Sequence, residues 1–231
     1  MKIALCLVTW NEIEGCKADV PRLPREHFDQ IFAVDGGSTD GTAEYLRGQG
    51  IEVFEQDTRG YNGAYISAFR RCQADALVLF HPKGTIDPAE TLHFRRYFED
   101  GYQVVIASRT ARGGRNEEDG NWLRPRKWST MSLATLAAVL WRREGAMVWD
   151  ILHGFRGVTK DAFAAIDALP TGLSADLEIV VRSYRLALRR VEFPVVEKAR
   201  PNGTTHFKAL PTGKRLLSYL AYELRRPAPP R

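Results

Sequence analysis

The stretch Val34-Asp35-Gly36-Gly37-Ser38-Thr39-Asp40-Gly41-Thr42 carries the densest chemistry in the chain. An apolar run stops at an acid, two glycines, a hydroxyl and a second acid, then gives way to a helical pattern. That order describes a strand delivering a carboxylate and a tight loop to the edge of a sheet, where open α/β sheets bind ligands. Gly36 and Gly37 let backbone approach a ligand closely. Asp40-Gly41 reads as a turn and helix entry. A second apolar run, Ala76 to Phe80, ends in His81-Pro82-Lys83-Gly84 and so puts an imidazole and an ammonium at the same kind of edge.

Thr9-Trp10-Asn11-Glu12 follows the first apolar run; an aromatic there can stack on a base while Asn and Glu supply hydrogen bonds. Arg59-Gly60-Tyr61-Asn62-Gly63 opens a helical pattern whose free amides suit an anion, with Gly60 and Gly63 keeping the approach clear. Arginine guanidinium groups carry planar forks that match phosphate oxygens. Solvated surface charge is the competing reading, and for Arg156 an internal ion pair with an acid such as Asp150.

Six of these segments, in this order, resemble family 2 glycosyltransferases of the GT-A fold. Thr9-Trp10-Asn11-Glu12 is similar to the family's Tyr-Asn-Glu signature, and the Asp35 loop to its nucleotide-sugar loop. Val105-Ile-Ala-Ser-Arg109 is similar to Val-Ile-Gly-Ser-Arg, and Asp150 to Arg156 to Asp-x-x-x-Gly-Phe-Arg. Asp176-Leu-Glu178 resembles the acid-containing helix start. Arg200-Pro-Asn-Gly203-Thr-Thr-His206-Phe-Lys208 resembles the closing loop. The set is that of the branch similar to dolichyl-phosphate mannose synthases and polyprenyl-phosphate glycosyltransferases, and it runs from Lys2 to Lys208. One departure matters. His81-Pro82-Lys83-Gly84-Thr85-Ile86-Asp87-Pro88 stands where the family has Asp-Ala-Asp-Gly-x-x-Asp-Pro, with His81 and Lys83 at the two acid positions.

The resemblance implies an inverting transfer from a nucleotide-diphospho-sugar donor. Thr9, Trp10, Asn11, Glu12, Asp35, Gly37, Ser38, Gly60 and Gly63 would hold the nucleotide, and His81 with Lys83 the diphosphate. Arg109, Arg126, Arg156, Arg200, His206 and Lys208 would surround the acceptor and its phosphate. The family's acids hold Mg²⁺ or Mn²⁺. A hard divalent ion wants carboxylate or phosphate oxygens, which His81 and Lys83 do not supply, so Mg²⁺ or Mn²⁺ is left open but disfavoured, and the favoured reading has Lys83 doing the ion's electrostatic work and His81 acting as donor or acid. A polyprenyl phosphate is the expected acceptor, a glycan or small hydroxyl the second choice. A phosphate oxygen attacks the sugar carbon unaided, whereas a hydroxyl needs a base; Asp150, Asp176 and Glu178 are the candidates. The rival reading is a non-catalytic homologue that binds nucleotide or a partner protein. A nucleotidyltransferase is disfavoured, because no Gly-rich phosphate loop follows the first strand.

The elements that must position these groups alternate. Lys2 to Thr9, Gln30 to Val34, Ile51 to Glu55, Ala76 to Phe80, Gln103 to Ser108 and Val191 to Val196 read as strands. Ala43 to Arg47, Tyr61 to Arg71, Pro88 to Tyr97, Trp128 to Trp141, Asp161 to Ile166, Asp176 to Arg189 and Pro211 to Leu224 read as helices. The prediction is a single α/β domain, Rossmann-like, with a mainly parallel sheet flanked by helices. Its bounds are 1–210, with a nucleotide-sugar half to 108 and an acceptor half from 109, followed by a helix and a disordered tail over 211–231. Arg109 to Arg126 is predicted to be a mobile surface loop.

The chain has 231 residues, 44% hydrophobic, and a formal charge of +5, enough for one substantial core and suited to anionic ligands or a lipid surface. No basic stripe interleaved with aromatics points to nucleic acid. Cys6, Cys16 and Cys72 lack metal-ligand spacing and read as reduced, buried thiols of a cytoplasmic protein. No run approaches the roughly eighteen apolar residues of a membrane span. Trp128 to Trp141, apolar on most faces and bracketed by Arg and Lys, reads as a helix lying on the inner face of a membrane or against a partner, a second copy included.

Overall fold

The structure, a computed structural model, describes residues 1–120, 124–200 and 209–227. Seven strands and eight α-helices follow in the order β1 (Ile3–Thr9), α1 (Ile13–Asp19), β2 (Gln30–Asp35), α2 (Thr42–Gly48), β3 (Glu52–Glu55), α3 (Tyr61–Arg71), β4 (Ala76–Phe80), α4 (His93–Glu99), β5 (Val104–Ser108), α5 (Pro125–Trp141), β6 (Arg156–Thr159), α6 (Lys160–Ile166), α7 (Ala175–Arg185), β7 (Arg190–Pro194) and α8 (Ala209–Arg225). The strands form one sheet in the order β3-β2-β1-β4-β6-β5-β7, all parallel except β6, which runs antiparallel between β4 and β5.

β1 and β4 are buried along their whole length, as unbroken apolar runs in the middle of a two-sided sheet must be. Side chains alternate to opposite faces, so Ala4, Cys6 and Val8 join one core layer with α3, α5, α7 and α8, while Ile3, Leu5 and Leu7 join another with α1, α2 and α4. All three cysteines are free and buried. Leu216, Tyr219 and Leu220 of α8 belong to the first layer, and Glu223 beside them pairs with Arg182 at 3.2 Å and Arg185 at 2.7 Å of α7.

Most predicted elements stand within a few residues of their expected bounds. Pro88 to Tyr97 begins as a 3-10 turn, Pro88–Leu92, capped by Asp87 at the Ala89 amide, before becoming α4. The entry to α2 is made by Asp40, which takes the Thr42 amide at 3.0 Å, the Thr42 hydroxyl at 2.5 Å and the Ile13 amide at 3.1 Å. Two elements were not predicted. α1 is only seven residues long and has no apolar period of its own. β6 has four residues, and it is held by partners on both sides rather than by its own pattern. Within the predicted loop from Arg109, Glu117–Gly120 forms a 3-10 turn and Arg115 bridges Val196 beyond β7.

Parallel strands β1, β2 and β4 end at the same edge, in register: Thr9 lies opposite Asp35, and Leu7 opposite Phe80. Asp35 and the His81–Lys83 segment therefore converge on one cleft.

Candidate active site

Asp35 closes its own loop. Its Oδ1 accepts the Thr9 hydroxyl at 3.0 Å and the Ser38 hydroxyl at 2.6 Å; Oδ2 accepts the Gly37 and Ser38 amides at 3.0 and 2.7 Å. Gly37 has φ of 85°, a left-handed turn that suits glycine. Asn11 locks the neighbouring loop by giving its amide to Ser38 Oγ and accepting the Thr39 amide, both at 2.8 Å. Trp10 lies across Gly36: a Cβ there would meet the Trp10 side chain at 3.2 Å. Half of the Trp10 surface (49%) stays open, which is the form of a stacking platform.

At the end of β4, His81 is stacked on Tyr61 with ring centroids 5.9 Å apart. Its Nε2 is buried and has no hydrogen-bond partner. Burial first, then the charges of Lys83, His153 and Arg156, push its pKa well below the ordinary histidine range. That shift favours the uncharged ring, which can still take part in a hydrogen bond. Burial also lowers the Lys83 pKa, aided by Arg200 and Arg109 and opposed by Glu12 and Glu197. Among the described residues the Lys83 ammonium makes no ion pair.

The arginines differ from it in this respect. Arg109 grips Asp150 through Nε and Nη2, both at 2.8 Å, and Glu197 through Nη1 at 3.0 Å. The guanidinium holds the Asp150 carboxyl well below the usual carboxylate range against the cost of its burial. Arg200 pairs with Glu12 at 2.7 Å. Arg156, fully buried, pairs with Asp176 at 3.0 Å and donates to the carbonyls of His153 and Asp176. The internal partner of Arg156 is thus Asp176, not Asp150, because β6 turns the side chain toward the start of α7.

The three acids expected as bases are all engaged. Asp150 carries Arg109 and its backbone amide. Asp176 accepts the hydroxyls of Tyr61 at 2.7 Å and Tyr65 at 2.8 Å beside Arg156. Glu178 takes the Asn62 amide group, the Ser174 hydroxyl and the Leu169 amide, tying α3 to α7. Its neighbour Arg182, one turn on, lies 3.9 Å away. Gly60 has φ of 108°, and a Cβ on Gly63 would lie 1.9 Å from the Thr58 carbonyl oxygen, so these glycines shape the entry to α3. His206, Lys208 and the side chain of Arg126 lie outside the described residues, as does the end of the predicted tail, 228–231.

Two residues that the sequence did not single out belong to this cluster. Glu197 follows β7 and bonds Arg109; its backbone amide reaches the Arg115 carbonyl at 3.0 Å, and the Lys198 amide reaches Thr85 at 2.8 Å. His153, buried 3.9 Å from Asp150, has its pKa pushed down to about 4, chiefly by burial and then by Arg109. His153 fills a variable position of the Asp150 to Arg156 segment and Glu197 stands in no motif, so neither carried a signal of its own. Among the described residues no three His, Cys, Asp or Glu side chains gather into a group that could hold a metal ion by themselves.

The sequence model of glycosyl transferase family 2 matches residues 6–167. The chain belongs to that family. It is 30% identical over 203 residues to a dolichyl-phosphate hexose transferase of Haloferax volcanii, covering 85% of this chain and 84% of the relative. It is 25% identical over 204 residues to glycosyltransferase AglJ of the same organism, covering 87% of this chain but 65% of AglJ, so it spans under two thirds of that relative's length. Glucosyl-3-phosphoglycerate synthase of Mycobacterium tuberculosis, solved with Mn²⁺, UDP and glucosyl-3-phosphoglycerate, superposes with a TM-score of 0.77. That likeness covers 98% of this chain and 81% of the other at 16% identity. The fold is GT-A, the protein a family 2 glycosyltransferase, and the predicted single α/β domain with a mainly parallel sheet stands.

Proposed function

We propose that this glycosyltransferase moves a hexosyl group, with inversion, from a nucleotide-diphospho-sugar to a polyprenyl phosphate. Lys83 takes the place that an Asp-x-Asp-bound ion holds in the family. The observation that carries this reading is the contrast at the cleft: Arg109, Arg156 and Arg200 each hold an acid of this chain, while Lys83 makes no ion pair among the described residues. It is a cation that no acid of the described residues holds, and so is available to the diphosphate.

In the reaction, an acceptor oxygen attacks the anomeric carbon in line, the bond from that carbon to the diphosphate breaks, and the nucleoside diphosphate leaves with the electron pair. Negative charge grows on the leaving oxygen, and a fixed ammonium in a site of low dielectric stabilises it most as it develops. Trp10 offers the face on which the base stacks; Asp35, Asn11 and Ser38 hold the loop beneath it. A metal bound to the donor would supply the same charge stabilisation. The donor set at the end of β4 does not fit one: Lys83 repels a cation, and Glu12 and Glu197 beside it already carry arginines.

The engagement of Asp150, Asp176 and Glu178 supports an acceptor that needs no base, such as a phosphate monoester, already anionic near neutral pH. The name of the 30% identical Haloferax relative agrees with a lipid phosphate. No described helix is long and apolar enough to cross a membrane. α5 instead turns Trp128 (63% exposed), Leu136 and Val139 (71% exposed) outward, with Arg142 and Arg143 just beyond its end. That face suits peripheral contact with anionic lipid.

The test is transfer from UDP-glucose and GDP-mannose to a short polyprenyl phosphate, with Mg²⁺, Mn²⁺ or EDTA. Turnover that persists in EDTA supports the lysine. Turnover that vanishes in EDTA and returns with metal refutes it.

A further inference from the structure

The loop that carries Lys83 rests on a buried acid outside the described cleft. Asp19, the last residue of α1, is 1% exposed. Its Oδ2 accepts the Gly84 amide, the peptide that follows Lys83, at 2.8 Å. One turn earlier on the same face of α1, Gly15 lies against this loop. A Cβ there would sit 2.2 Å from the Pro82 carbonyl oxygen and 2.7 Å from Lys83 Cα. From the far side the Lys198 amide holds the Thr85 carbonyl at 2.8 Å. The segment from Pro82 to Thr85 is therefore clamped between α1 and the chain leaving β7.

A buried carboxylate without a cation is costly. Arg22, the nearest cation acting on Asp19, gives its guanidinium to Asp87 at 2.7 Å, and among the described residues Asp19 has no ion pair. Burial pushes its pKa up to about 6, against the pull of the Gly84 amide and Arg22; Asp87 adds to the rise. Ordinary helix-end chemistry gives no reason to keep such a group, since an asparagine there would cost less. What the carboxylate does, and a neutral amide oxygen could do only more weakly, is accept the Gly84 N–H in a charge-assisted bond and so fix the peptide plane that follows the Lys83 Cα.

We propose that Asp19 is the positioning residue of Lys83: by holding the Gly84 amide, with Gly15 packed against Pro82 and Lys83, it aims the ammonium at the donor's diphosphate. The proposal rests on the reading of Lys83 given above. Asp19 touches no reacting atom; it acts through the loop, where a displacement of about 1 Å can cost a hundredfold in rate.

The test is a double-mutant cycle on Asp19→Asn and Lys83→Ala, with whichever of UDP-glucose and GDP-mannose turns over faster, plus hydrogen exchange of the peptide 81–86. Asp19→Asn is expected to lower kcat ten- to a hundredfold, to leave donor KM within about threefold, and to speed exchange in that peptide. In the Lys83→Ala background it should cost nothing more. Losses that multiply, or wild-type kcat in Asp19→Asn, overturn the positioning role while leaving Lys83 in place. Wild-type turnover in Lys83→Ala overturns the reading of Lys83 and this proposal with it. If Asp19→Asn melts below the assay temperature, Gly15→Ala, which presses on the same loop, is put through the same cycle with the same expected coupling.

Discussion

Arg200 and Glu12 meet at 2.7 Å across 188 residues of sequence, joining the chain beyond β7 to the turn after β1. Both groups lie near enough to Lys83 to act on its charge with opposite sign, so the pair adjoins the cleft in which the nucleotide is proposed to lie. A donor phosphate and the Glu12 carboxylate are rival partners for the same guanidinium. Arg200→Gln should raise donor KM about tenfold, the worth of one charge-assisted hydrogen bond. Glu12→Gln should leave donor KM within about twofold or lower it. Equal losses in both variants would make the pair a brace and nothing more.

Lys83→Ala should cut kcat by a hundredfold or more, the usual loss when a donor to developing negative charge is removed. Affinity for the nucleoside diphosphate, measured by calorimetry, should fall less. If affinity collapses and kcat survives, the ammonium serves ground-state binding instead of the leaving group.

The buried histidine gives a pH signature. His153 has a folded pKa of about 4, below the ordinary value of 6.5, so its neutral ring contributes fully above pH 6.5. That contribution is lost as pH falls from 6.5 through 4, on the order of 3 kcal/mol at most. Asp19 acts with the opposite sign: its folded pKa of about 6 exceeds 3.8, so its ionisation costs stability as pH rises from 3.8 through 6. Urea midpoints between pH 4 and pH 7.5 should therefore fall on acidification less in the wild type than in Asp19→Asn. His153→Gln should flatten the dependence, and an unchanged slope in that variant would remove His153 as its source.

Gly63→Ala places a methyl 1.9 Å from a backbone oxygen and 2.7 Å from a backbone carbon of Thr58, with no flexible side chain to yield. A loss of about 3 kcal/mol is expected by chemical denaturation. Gly48→Ala, at the end of α2 with open space around it, should be neutral or gain up to about 1 kcal/mol. Equal effects at the two sites would contradict the packing at the head of α3.

Vesicle flotation tests the outward face of α5. Val139→Asp and Trp128→Ala should each reduce binding to vesicles containing phosphatidylglycerol severalfold and leave transfer to a soluble acceptor unchanged. Equal flotation of wild type and variants would remove that face from membrane contact.

The amino-acid sequence by itself determined the alternation of strands and helices, because β1, β4 and β5 are unbroken apolar runs that only a two-sided sheet can bury. It also determined the acid and glycines after β2, since their chemistry is local: Asp35 bonds residues two and three positions on. What only the tertiary structure decided is which charges are spent. Arg109 reaches Asp150 across 41 residues and Glu197 across 88, and Arg156 reaches Asp176 only because β6 inserts antiparallel between β4 and β5. No local period marks β6 or α1, so neither that pairing nor the grip of Asp19 on the Lys83 loop could be read from spacing. A side chain's type is written in the sequence. Whether its charge is already neutralised depends on long-range partners, and the fold alone brings those within 4 Å.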